Sequence, residues 1–145
     1  MANVIPDSFK TDLLKGTFNF DSSGGSTFKL ALYTDISGLT ATATTAFTAT
    51  NEVGTSGTNY SSGGNTLTNN GVAISSNIAF VDFADLTFSS VTLAAVGALI
   101  YKSGGSNEAV LVLDFGGTKT ATNGDFVVQF PTASSSAAII RLGNA

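Results

Sequence analysis

Apolar and polar positions alternate in short runs along most of this chain, and two neighbouring runs are apolar on both parities. Residues 91–102 (VTLAAVGALIYK) and 108–115 (EAVLVLDF) read as strands joined by 103–107, a loop with two glycines and an Asn. Such residues supply the positive-φ positions of a hairpin turn. Pairing them with Lys102 opposite Glu108 sets Ile100 against Val110, Leu99 against Leu111 and Gly97 against Leu113. Large side chains then meet small ones on two apolar faces, which places this hairpin inside the fold.

Other segments follow the same two-residue period. In 27–34, Phe28, Leu30 and Leu32 point inward, Lys29 and Ala31 outward, and Tyr33 lies at the outer end. Phe18 and Phe20 alternate with Thr17 and Asn19 as a short strand, followed by a turn at 21–26. Residues 65–68 and 72–75 flank Asn69-Asn70-Gly71, a hairpin-turn signature. Residues 78–89 form a strand with a kink near Ala84 and Asp85. Residues 126–130 follow a turn at Asn123-Gly124-Asp125, and 137–142 form the last strand.

Helical periodicity is confined to 6–15. Pro6 suits a helix entrance, Asp7 or Ser8 can cap it, Gly16 stops it, and Phe9 and Leu13, with Leu14 beside them, form the apolar stripe. From 35 to 64 periodicity collapses into Gly, Ser and Thr, which predicts a long exposed loop. The expected fold is therefore all-β: an antiparallel β-sandwich of seven or eight strands, with a jelly roll among the open topologies and one short N-terminal helix. The 145 residues form a single domain, 1–145, with 1–16 as N-terminal arm and helix and 35–64 as the loop.

Composition sharpens this picture. The chain holds 17 Ser and 20 Thr but only 11% charged residues, so its polar surface is built from hydroxyls. Net charge is −4 without a basic cluster, which argues against nucleic-acid binding and a polybasic membrane anchor. No apolar run is long enough for a helical membrane span, and 1–16 carries no signal-peptide pattern. The chain has neither His nor Cys, which removes Ser-His-Asp and Cys-His catalysis and the commonest zinc ligands.

Carboxylates remain. Asp82 and Asp85 sit three apart, on opposite faces of a regular strand, and Asp82 or Asp114 can pair with Lys29, Lys102 or Arg141. Asp21, Asp35 and Asp125 lie in loops, but no calcium-loop motif surrounds them. Asn59-Tyr60-Ser61 matches a glycosylation sequon, read here as chance. The expectation is no catalytic residue, no cofactor and no metal.

The order of segments resembles a family of tailed-bacteriophage virion structural proteins. The matching stretches are SFKTDLLKG at 8–16, TFKLALYT at 27–34, TNEV at 50–53, YSSGGNTL at 60–67, the dense block at 97–131, of which 113–131 is the most specific part, and AAIIRL at 137–142. The resemblance covers most of the chain. It implies a non-enzymatic capsid decoration (cement) protein, made in the host cytoplasm and resident in the virion, which forms homo-oligomers, a trimer being favoured, and binds the major capsid protein or another virion protein. The alternative is a tail or fibre component acting as a receptor- or carbohydrate-binding module, with exposed Tyr33 and Tyr60 to stack on sugars. The expected protein contacts lie outside the sheets: Val4, Ile5, Phe9, Leu13, Phe47, Val53 and Tyr60.

Overall fold

The structure, a computed structural model, describes residues 2–144. It is an antiparallel β-sandwich with one short helix, α1 (Asp7–Leu14). The larger sheet has the order β2-β1-β5-β6, built from β1 (Phe28–Tyr33), β2 (Asn65–Thr66), β5 (Leu86–Lys102) and β6 (Ala109–Val128). The smaller has the order β3-β4-β7, built from β3 (Asn69–Ser75), β4 (Ile78–Phe83) and β7 (Ile140–Leu142).

The two-sided hairpin is the spine of the larger sheet. Lys102 N donates to Glu108 O at 2.9 Å, and Tyr101 pairs with Ala109 as expected. One step further the register slips, and Ile100 meets Leu111 rather than Val110. This bulge turns both Val110 and Leu111 into the inter-sheet core, which an unbroken alternation cannot do. Further bulges at Ser90 (φ 54) and Asn123 (φ 45) let both strands run on. The expected turn at Asn123-Gly124-Asp125 is therefore a bulge inside β6, and 126–130 is no separate strand.

The kink at Ala84 and Asp85 is where the chain leaves the small sheet for the large one. Asn69-Asn70-Gly71 is not a hairpin turn. Gly71 (φ 95) sits at a bulge within β3, and the real turn is Ser76-Asn77, whose φ values of 52 and 63 make a two-residue loop of the type that matches strand twist. Phe18 and Phe20 form no strand. Their rings join Phe9 and Phe28 in an aromatic cluster, with Phe20 stacked on Phe28 at 4.7 Å.

In α1 neither Asp7 nor Ser8 caps. Both lie inside the helix, Pro6 stands at its entrance, and the Ser8 hydroxyl donates to Thr44 O at 3.1 Å. Gly16 (φ 79) ends it as expected, with Gly16 N on Leu13 O and Thr17 N on Asp12 O. Phe9 is buried and Leu13 packs on the core, but Leu14 faces solvent.

Candidate interaction surface

The outward face of β1 is not a surface. Ala31, Tyr33, Leu99, Tyr101, Ala109 and Val112 form a second core on that side of the larger sheet, roofed by Ile36, Leu39, Phe47 and Val4. The predicted loop at 35–64 is a long loop with more than half of its residues exposed, but its apolar side chains fold down as a fitted cover. Backbone bonds pin it at intervals: Thr34 N to Asn51 O, Phe47 N to Asn107 O, Val53 N to Leu32 O and Ala109 N to Thr45 O, all 2.9–3.0 Å.

One carboxylate organises the end of this cover. Glu52 accepts hydrogen bonds from the Tyr60 hydroxyl (2.8 Å), the Ser62 hydroxyl (2.9 Å) and Gly63 N (2.6 Å). The Tyr60 oxygen in turn accepts from Leu32 N at 2.9 Å, and the Tyr101 hydroxyl donates to Gly63 O at 2.6 Å. The Tyr33 hydroxyl donates to Thr48 O at 2.6 Å. Burial pushes all three phenols above the ordinary tyrosine range, and the nearby Glu52 charge acts in the same direction. Every donor is aimed at a protein acceptor, so the cluster fastens chain to chain.

This arrangement closes off most of the predicted contact residues. Phe9, Val53 and Tyr60 are buried in the inter-sheet core. Phe47 is half-buried and stacked on Tyr101 at 4.8 Å, and Val4 pairs backbone to backbone with Val112. Ile5 keeps 37% of its surface exposed. Tyr33 and Tyr60, the expected sugar-stacking rings, are both sealed, because each hydroxyl reaches a backbone partner only with the ring laid against the sheet.

Sequence reasoning missed where apolar surface does reach solvent. On β3, Val72 and Ile74 are 53% and 75% exposed, and on β7, Leu142 is 62% exposed. The registers Val72↔Val81↔Ile140 and Ile74↔Ala79↔Leu142 make two rows across the smaller sheet on one face. The first row contains Val81 and Ile140, both in the core. That face therefore starts inside the sandwich and runs out past its edge. The Val-Ala-Ile alternation marks a strand, but nothing local marks where the opposite sheet stops.

A separate open groove of about 470 Å³ lies along the far part of β6, with Phe115, Phe130 and Ile139 among its walls and Lys119, Asp125 and Gln129 at its rim. Asp125 accepts from Ser90 N. Asp114, also lining it, has its carboxyl held below the usual carboxylate range, first by the hydrogen bond from Gly116 N. Three further candidate carboxylates are spread out as fasteners: Asp82 accepts from the Asn70 amide, Asp85 from Phe130 N and Asp35 from Ser37 N. Two of the three side chains proposed to pair with Asp82 or Asp114 are engaged elsewhere: Lys102 Nζ donates to Thr17 O, and the Arg141 guanidinium to Ser135 O and Ser136 O. Among the described residues no group of three or more His, Cys, Asp or Glu is placed to hold a metal ion, and no helix is long and apolar enough to cross a membrane. No family model, curated protein or solved structure matches the chain.

Proposed function

We propose that the protein is a structural virion component, a capsid decoration (cement) protein that works by contact with the major capsid protein and with copies of itself, the trimer being the assembly implied by the sequence resemblance. The observation that carries this reading is the open apolar face of the β3-β4-β7 sheet. A chain that seals Phe9, Val53, Tyr60 and both faces of its larger sheet around β1 leaves Val72, Ile74 and Leu142 in water, clustered on one face, whereas Val127 on β6 is exposed by itself. Contiguous exposed apolar surface of this kind is a mark of protein contact. A sequence without His or Cys suits a role that needs buried area and no chemistry.

The second reading, a tail or fibre module that binds a receptor or glycan, draws on the groove beside β6, where aromatic walls meet an amide, a carboxylate and an ammonium. A density map of the intact particle separates the two. Many copies on the head exterior, with the β3-β4-β7 face against a neighbour, support decoration. A few copies at the tail, with the β6 groove outward, overturn it.

A further inference from the structure

We infer that the free edge of β3 is a self-association site, where two copies pair their 72–74 segments antiparallel about a two-fold axis at Ala73 and join their smaller sheets into one. The segment concerned is 72–75; the inference uses the same open face as the proposed function and adds to it a specific contact between copies. It is tested on the isolated protein, so its failure leaves the virion reading to the particle map.

The backbone supplies the first argument. Ser75 and Ile78 flank the two-residue turn, so they exchange both hydrogen bonds across the hairpin. Alternation then directs the Ala73 amide and carbonyl toward β4, and those of Val72 and Ile74 outward. Because β3 is the edge of its sheet, these outward groups form a ready template for another strand. The start of β3 is covered by the 21–26 turn, since Asn69 Nδ2 donates to Phe20 O and Gly71 abuts Ser22. Only the part from Val72 onward is open.

The second argument is that, beyond the bulge at Gly71 and the cover over the start of β3, no charge or proline guards the edge. Edge strands are normally guarded by Lys, by Pro or by an inward charge. Residues 53–81 contain none of these and no charged side chain at all. Two copies carrying −4 each repel in general, and this stretch is where they can approach without placing like charges face to face.

The third argument selects a second copy as the occupant. Setting Val72 opposite Ile74 of the other copy puts outward groups against outward groups in two places, with Ala73 opposite its own counterpart between them. In that register the exposed row Leu142–Ala79–Ile74 continues into the second copy's Val72, Val81 and Ile140, of which the last two are buried in its core. Ile74 of each copy thus gains Val72 of the other as a cross-strand neighbour on the apolar face. The contact is small against the roughly 800 Å² per partner of a standard interface. It is therefore concentration-dependent in solution and is strengthened where copies are held close together.

The chain has no cysteine, so a single engineered thiol reads the register. Counterpart residues at a non-hydrogen-bonded antiparallel pair lie about 4.5 Å apart at Cα, within disulfide range. Counterparts two residues further along each strand lie about 13 Å apart. Under mild oxidation Ala73→Cys is expected to give a covalent dimer at least tenfold faster than Ser75→Cys. Sedimentation of the unmodified protein over a concentration series is expected to show a monomer–dimer equilibrium, which Ile74→Lys returns to monomer with an unchanged far-UV circular dichroism spectrum. A protein that stays monomeric throughout, with both thiol variants oxidising equally slowly, overturns the inference. So does association that survives both Ile74→Lys and Ile74→Pro, since the latter removes an outward amide without touching the β3–β4 ladder.

Discussion

Raising the pH should unfold this domain cooperatively, and its tyrosines should report the event. The chain has three, Tyr33, Tyr60 and Tyr101, and all are buried with their hydroxyls committed to internal partners. Their folded pKa values lie above the unfolded value near 10. A group raised on folding gives stability that is complete below its unfolded pKa and is lost as pH climbs toward its folded pKa. Each phenol held fully neutral costs about 1.4 kcal/mol of stability per pH unit above 10. Tyr33 and Tyr60 together give nearly 3 kcal/mol per unit, and Tyr101 adds to that slope. A domain of ordinary stability, about 5–15 kcal/mol, reaches its limit near the lower end of that range by roughly pH 12. The assay is a titration followed by phenolate absorbance and by far-UV circular dichroism on the same samples. The two curves should coincide in one steep transition, and Tyr60→Phe should make it shallower. Phenolate appearing gradually around pH 10 with the dichroism intact would refute the reasoning, because it would mean that the rings are not sealed.

Three further expectations follow from packing and loop geometry. Leu111→Ala, at a fully buried core position, should cost about 2–5 kcal/mol in urea unfolding, whereas Leu14→Ala, on the solvent side of α1, should stay within about 0.5 kcal/mol. Gly64→Ala should fail to fold or lose several degrees of melting temperature, since its φ is +75 and a Cβ there meets Leu30 O, while Gly24→Ala, at a similar φ but in open space, should show only a mild loss. Treatment with a chelator should leave the melting temperature unchanged, and a marked fall would reveal a loop cation site at Asp21, Asp35 or Asp125.

The parts of the fold that are legible in sequence are those in which one period holds over several residues. The β5–β6 hairpin, the inward face of β1, the break at Ala84 and the glycine stop of α1 all announce themselves locally. The cover at 35–64 does not, because its buried residues Ile36, Leu39, Val53 and Tyr60 have no common spacing and each is held by its own backbone bond or ring contact. Its glycines predict an exposed loop, yet Gly64 is required by the close approach to Leu30. Turn chemistry misled for a related reason: the Gly of Asn69-Asn70-Gly71 serves a bulge, and Ser76 and Asn77 tolerate the left-handed conformation well enough to form the turn. The open face of Val72 and Ile74 depends on where one sheet ends relative to the other, which no local pattern records.

The position of β1 between β2 and β5 has a kinetic consequence. The β5–β6 hairpin closes through a short loop and can form early, but β1 pairs Phe28 with Lys102 and Tyr33 with Gly97, so its docking must close a loop of more than sixty residues. The cover at 35–64 belongs to that loop, and its anchors on β1 and the β5–β6 turn exist only after docking. Docking of β1 should therefore be the slow step of folding, in the millisecond-to-second range of strongly non-local β proteins. Until it occurs, the hairpin face that Ile36, Leu39 and Phe47 of the cover seal remains in water.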